Sequence, residues 1–280
     1  MSSGQTYTDK DAFFVDSFDN IKIEVLHYPP ANIISNYPPI IFIHGAAIAA
    51  WAWDNFCRLF SNKGHDCYAM SFRGHGQSTK TPKKDKWWSL NVITNDVSAV
   101  TDAIIARTGY KPVLVGHSLG GGVVQNYLKD NQQKALSNSL LTVSNAPILA
   151  VLKAIFTLEP YAIIESPKYV KRATLSKAFP DSMTRKLQPK LEKASFVTGM
   201  FELLKPFVDP SIIKCPMIVI GAEEDKIFDI KGISIKETAE AYGVEFDIIG
   251  AASHSIMLDL TWEDAADVIF NRIQEKIVKI

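Results

Sequence analysis

Gly116-His117-Ser118-Leu119-Gly120 sets a serine between two glycines, directly after the apolar run Pro112 to Val115 and at the start of a helical segment, Leu119 to Lys129. Small residues at these positions let a chain turn sharply from strand into helix and thrust the serine hydroxyl clear of the sheet. That hydroxyl is a weak nucleophile until a base removes its proton, so the pattern calls for a histidine oriented by a carboxylate. Six histidines compete for the role. His27 falls in an early strand, His44 and His75 in glycine-containing loops, His65 after a helix end, and His117 beside the serine but directed elsewhere by the turn. His254, in Ala252-Ser253-His254-Ser255 beyond the last strand, is on a loop leaving the carboxyl edge of the sheet, where the sites of open α/β sheets lie.

For the chain order serine, acid, histidine, the acid should follow the strand Pro216 to Ile220, where Gly221-Ala222-Glu223-Glu224-Asp225-Lys226 offers three carboxylates. Asp225 is the expected partner of His254, because a loop of this length curls it back beneath the imidazole; Glu223 and Glu224 are expected to begin the turn in solvent. The segment Val143-Ser144-Asn145, after the preceding strand, carries no carboxylate. An oxyanion formed on an attacked carbonyl needs two donors aimed at it. Leu119, whose amide opens the elbow helix, is expected to supply one. Ala46 should supply the other, from the loop His44-Gly45-Ala46-Ala47 after Ile40 to Ile43, with Gly45 permitting the sharp turn.

These residues need a scaffold that brings three loops to one edge. Short apolar runs at Ala12–Val15, Ile21–His27, Pro39–Ile43, Asp66–Ser71, Pro112–Val115, Ser139–Val143, Pro216–Ile220 and Glu245–Ile249 read as strands. Amphipathic stretches at Trp53–Asn62, Val92–Arg107, Leu119–Lys129, Lys231–Tyr242 and Trp262–Ile277 read as helices. Strands alternating with helices imply an α/β class with a mostly parallel sheet covered on both faces. Residues 146–206 break the rhythm with scattered apolar residues and exceed the usual αβ connection. They read as an inserted helical cap between two parts of one core, 1–145 and 207–280.

Composition narrows the partners. The 280 residues carry 30 basic and 30 acidic side chains, so no long-range positive field draws nucleic acid to the chain. With 47% hydrophobic and 21% charged residues, disorder and fibrous repeats are excluded. Cys57, Cys67 and Cys215 form no Cys-x-x-Cys pair, so neither a disulfide framework nor a zinc site is expected. The first twenty residues lack a basic and then apolar leader pattern, and no apolar run reaches the roughly 20 residues that span a bilayer. A cytoplasmic protein without membrane segments is the expectation.

The His44-Gly45 loop, Arg73-Gly74-His75-Gly76-Gln77-Ser78, the serine elbow, Gly221 to Asp225 and His254 together resemble the α/β-hydrolase superfamily over nearly the whole chain. The resemblance implies that family's fold: a mostly parallel, eight-stranded sheet flanked by helices, with an inserted cap. More narrowly, Trp51-Ala52-Trp53 after His-Gly-Ala, and the ending His254-x-x-Met257-Leu258-Asp259 before Trp262, look like lysophospholipase-like or esterase-like serine hydrolases. Related chemistries depart from the pattern. Dehalogenases and epoxide hydrolases of this fold have Asp at the elbow, where Ser118 stands. Hydroxynitrile lyases carry Lys after the histidine, where Ser255 stands, and the His-Gly-Gly of some lipases is His-Gly-Ala here.

The expected function is therefore hydrolysis of a small hydrophobic carboxylic ester or lactone through an acyl-enzyme, with no metal or organic cofactor. Ser118 attacks, His254 acts as base and then acid, and Asp225 holds the imidazole. Trp51, His117, Phe156 and Met257 are expected around the pocket. Rival readings use the same residues on a thioester, amide or C–C bond, or keep the pocket for ligand binding alone. Arg73 is expected to fix its glycine-rich turn rather than bind an anionic substrate, and Lys80 to Trp88 to be a solvated loop with its tryptophans packed inward. The cap is expected to select among acyl chains while leaving reactivity toward small acetates largely intact.

Overall fold

The computed structural model describes residues 10–32, 37–80, 88–131, 133–134, 139–141, 164–193, 208–227 and 233–277. Its strands are β1 (Asp11–Asp16), β2 (Lys22–Tyr28), β3 (Ile40–Ile43), β4 (Cys67–Met70), β5 (Val113–Gly116), β6 (Ser139–Leu141), β7 (Met217–Ala222) and β8 (Phe246–Ile249). They form one eight-stranded sheet in the order β1-β2-β4-β3-β5-β6-β7-β8. β2 runs antiparallel to both β1 and β4, and every pairing from β4 through β3 to β8 is parallel. The helices are α1 (Asp54–Asn62), α2 (Leu90–Thr108), α3 (Leu119–Asn131), α4 (Pro167–Thr174), α5 (Asp181–Leu187), α6 (Ile233–Tyr242) and α7 (Trp262–Ile277).

The central strands β3, β4, β5 and β7 are buried on both faces, as parallel strands require, and their side chains divide by the period of two. Ile41, Ile43 and Leu114 point to the face covered by α2 and α3, where Val97, Val100, Ile104, Val123 and Tyr127 meet them. Ile40, Phe42, Val113 and Val115 point to the other face, against Phe56 and Phe60 of α1 and Ile269 and Ile273 of α7. Burying each such side chain contributes about 1.5–3 kcal/mol. The central strands therefore form a stiff base for the loops at their carboxyl ends.

Local signals account for where the elements begin and end. α2 begins two residues before the expected Val92 because Ser89 caps it, its hydroxyl accepting the Val92 amide at 3.3 Å. It ends where Gly109 takes φ 77°, and the Gly109 amide closes on Ile105 O at 2.8 Å. A 3-10 turn, Ala50–Trp53, precedes α1. The last two residues expected in the sixth strand, 142 and 143, and the first two expected in the helix before Tyr242, 231 and 232, lie outside the described residues. Of the expected cap, 164–193 is described, as α4 and α5 around Ile164, Val170, Leu175 and Phe179, with Ala47 of the core packed against them; 146–163 and 194–206 lie outside. Trp88 is buried, whereas residues 81–87 lie outside as well.

Arg73 is committed to the fold. Its Nε and Nη2 grip the two oxygens of Asp96 at 2.6 and 2.7 Å, and Ser17 Oγ adds a hydrogen bond at 2.6 Å. Asp96 is 0% exposed, so the pair anchors the Arg73–Ser78 turn to α2. Breaking a buried pair from one side leaves the other charge uncompensated, at about 3–5 kcal/mol. Arg73→Leu is expected to lower the unfolding free energy by about that amount in urea titrations; a loss too small to resolve would show that the pair is solvated.

Candidate active site

The serine elbow is built from close approaches. Ser118 takes φ 53°, the left-handed region, which a residue with a Cβ occupies only under constraint. The constraint is visible at both glycines. A Cβ on Gly116 would lie 2.5 Å from Gly120 O, and one on Gly120 would lie 2.4 Å from Ile43 O and 2.6 Å from His44 O. Backbone of β5, α3 and β3 thus meets where no side chain fits. The Gly120 amide bonds His117 O at 2.8 Å and the Gly121 amide bonds Ser118 O at 2.9 Å, starting α3 directly behind the serine.

Asp225 follows β7 and His254 follows β8. His254 Nδ1 and Asp225 Oδ2 are 2.8 Å apart, and each residue is 8% exposed. The second Asp225 oxygen, Oδ1, accepts the Ile227 amide at 2.8 Å. Ser118, Asp225 and His254 line the same cavity. Glu223 is exposed and Glu224 half-buried in the turn, as expected from sequence, and both also bridge the two loops. Glu223 Oε2 accepts the Ala251 amide at 2.8 Å, Glu224 Oε2 accepts the Lys177 amide at 3.5 Å, and the two backbone amides bond Ile249 O and Ala252 O. The loops carrying the acid and the histidine are stitched together, because both leave adjacent parallel strands at the same height.

Three further histidines are held neutral around the serine. Burial, reinforced by the nearby His254, pushes His117 down to about 3. Its Nε2–H donates to His254 O at 2.8 Å, so it steadies the backbone of His254 while lining the cavity. Burial, with His75 next in weight, holds His44 well below the usual histidine range. His44 Nδ1–H donates to Gly45 O at 2.7 Å and Nε2 accepts the Phe72 amide at 2.9 Å, which sets its tautomer. Burial likewise brings His75 down to about 4.

The Gly45 loop runs against the elbow: a Cβ on Gly45 would lie 2.8 Å from His117 Nδ1 and 3.0 Å from Ser118 Cβ. Ala46 is exposed at this turn and Leu119 sits in the first turn of α3. The loop is tethered at Ala47, φ 63°, whose carbonyl accepts the Glu192 amide at 2.9 Å. The Glu192 carboxylate also accepts the Gly76 amide at 2.8 Å and Lys80 Nζ at 2.9 Å. Trp51 is half-buried with Lys190 Nζ 5.5 Å from its ring, while Trp53 is buried against Phe42.

Met257 requires a correction. It is wholly buried in the core cluster on the α7 face, and its neighbour Ile256 lines the cavity instead, with Ile220, Ala222 and Ile235. The tight turn after His254 decides which side chain faces inward, and composition carries no sign of it. Phe156 lies outside the described residues. Among the described residues, no group of three or more His, Cys, Asp or Glu side chains is gathered as metal ligands would be, and no helix is long and apolar enough to cross a membrane.

Fold and site together define an α/β-hydrolase. The chain belongs to the S33 family of that fold, matching the family described as serine aminopeptidase, S33, over residues 38–261. It is 29% identical over 175 residues to protein phosphatase methylesterase 1 of Debaryomyces hansenii, covering 56% of this chain and 43% of that one. It is also 29% identical over 139 residues to a bifunctional esterase/perhydrolase of Acinetobacter calcoaceticus, covering 49% and 46%. The chain spans less than half the length of these curated relatives. The esterase EaEST of Exiguobacterium antarcticum superposes with a TM-score of 0.76 over 94% of this chain and 100% of its own, at 15% identity, a likeness of fold.

The neutral histidines make stability depend on pH. Each is uncharged when folded but binds a proton near its ordinary value of 6.5 when unfolded. Unfolding therefore takes up protons below that pH, and stability falls as pH drops from about 6.5 toward 4, each such group adding a slope approaching 1.4 kcal/mol per pH unit. Urea midpoints measured at pH 7 and pH 5 are expected to fall steeply between the two; equal midpoints would show that these rings are charged in the fold.

Proposed function

We propose that this chain hydrolyses carboxylic esters through an acyl-enzyme on Ser118. The observation that carries the reading is the buried His254–Asp225 pair at 2.8 Å, opening into the cavity that Ser118 lines. His254 accepts the Ser118 proton as the hydroxyl attacks the carbonyl carbon, and Asp225 holds the Nδ1–H and stabilises the imidazolium that forms. The amides of Ala46 and Leu119 receive the oxyanion. Collapse of the tetrahedral intermediate expels the alcohol, which takes the proton from His254. Water activated by the same imidazole then releases the acid. Nothing in this sequence of steps requires a metal or an organic cofactor.

The aliphatic lining from Ile220, Ala222, Ile235 and Ile256 favours a small, uncharged, hydrophobic acyl group or lactone, because apolar walls fix apolar substrates while a few polar groups orient them. The methylesterase and the esterase/perhydrolase among the relatives are consistent with ester chemistry. The reading places residues 146–206 as a cap inserted into the core and the protein in the cytoplasm, where its three thiols stay reduced.

Chromogenic nitrophenyl esters of increasing acyl length test the proposal. Turnover is expected for short and medium chains and is abolished in Ser118→Ala, which leaves the fold intact. Asp225→Asn is expected to lower kcat by about 10⁴. Residual turnover in purified Ser118→Ala close to that of the parent would assign the nucleophile elsewhere.

A further inference from the structure

The residues on either side of His254 are tied to the cap. Thr174, the last residue of α4, offers its carbonyl to Ser253 Oγ–H at 2.8 Å and to the Ser255 amide at 3.0 Å. The one Ser253 hydroxyl proton is shared between that carbonyl and the carboxylate of Asp259. Asp259 is 1% exposed, and among the described residues no Lys or Arg pairs with it. Its carboxylate accepts the Ser176 amide, Ser176 Oγ–H and the Leu260 amide, each at 2.7 Å. A carboxylate taken out of water without a cation is expensive unless donors replace its solvent, and here neutral hydroxyls and amides do so. Two of those donors come from Ser176, 83 residues earlier in the chain.

We infer that Asp259 is a positioning residue for the acid–base pair: with Ser176 and Ser253 it fixes the loop of His254 to the cap, so the cap sets the placement of the imidazole. The inference rests on the reading of His254 as the base. The geometry is specific to that histidine. Residues 253 and 255 are held from the cap side, while the carbonyl of residue 254 is held from the elbow side by His117 at 2.8 Å. Three consecutive residues are thus restrained from two directions, which leaves the ring little freedom except rotation against Asp225. A carboxylate accepting several directed bonds orients each donor more sharply than an apolar contact would. On this inference the cap is not a separable selectivity device: removing Thr174 and Ser176 is expected to lower reactivity even toward a small acetate.

The test uses the full chain carrying Asp259→Asn, Ser176→Ala or Ser176→Thr. Three quantities are measured: kcat and KM for nitrophenyl acetate, the low-field proton resonance of His254 Nδ1–H, and the melting temperature. The resonance is assigned by its loss in His254→Ala. Asp259→Asn is expected to lower kcat on the order of 10²-fold, the scale of a misplaced catalytic group, with KM little changed and the resonance shifted or broadened. Ser176→Ala, a milder change that keeps the backbone donor, is expected to move the same quantities in the same direction and decides the matter if Asp259→Asn does not fold. Ser176→Thr, which restores a hydroxyl, is expected to recover both. A Ser176→Ala protein whose melting temperature alone falls, with kcat and the resonance unchanged, would reduce Asp259 to a structural residue and overturn the inference. A parent protein that shows the resonance but turns over no ester would count against the ester-hydrolase reading alone, and the resonance would still decide the positioning role.

Discussion

Holding a non-glycine residue in the left-handed region costs on the order of 1–3 kcal/mol, and at Ser118 the surrounding packing meets that cost. β3 and β5 are buried on both faces, and α3 starts so close behind them that Gly116 and Gly120 admit no Cβ. A serine on a surface loop would relax out of this conformation. Wedged between a strand end and a helix start whose positions are set by two apolar clusters, it cannot. The strain therefore becomes orientation, since the hydroxyl is presented above the sheet edge where the loops after β7 and β8 also arrive.

The same edge explains why the other groups converge. Parallel β7 and β8 deliver Asp225 and His254 side by side, and Glu223 and Glu224 bond the one loop to the other. Around them, burial keeps His44, His75 and His117 uncharged. That matters electrostatically: imidazolium ions packed this closely would repel one another, whereas neutral rings act as directed hydrogen-bond donors and acceptors. The Gly45 loop and the Arg73–Ser78 turn meet through Glu192, so the loop beside the elbow is braced from the segment 164–193 as well as from the sheet.

Much of this was legible in the residues. The strand, the Gly-x-Ser-x-Gly turn and the following helix are local, and the alternating apolar runs located eight strands to within a few residues. The order serine, acid, histidine leaves three carboxylates after β7, of which the loop length favours Asp225, and the fold brings it to 2.8 Å from His254. What escaped depends on contacts between distant residues. Asp259 sits in a recognisable stretch after His254, yet its partner Ser176 is in a segment whose pattern names no neighbour. Glu192 joins two loops that precede it by more than a hundred residues, as its bond to Gly76 shows. Met257, expected at the pocket, is buried in the core while Ile256 lines the cavity, because a tight turn, not a periodic element, orients them. Hydrophobic period and turn chemistry report on neighbours along the chain; hydrogen bonds between the segment 164–193 and the core do not enter either signal.

On the proposed reading, this packing makes one serine, among all those in the chain, a nucleophile. Treating the folded protein with a fluorophosphonate and mapping the modified peptides tests it most directly. The label is expected on Ser118 alone, at close to one per chain, and is expected to vanish when the protein is unfolded in urea before treatment. Label on any other residue, or labelling of Ser118 that survives unfolding, would contradict a nucleophile created by the geometry of the elbow and its histidine.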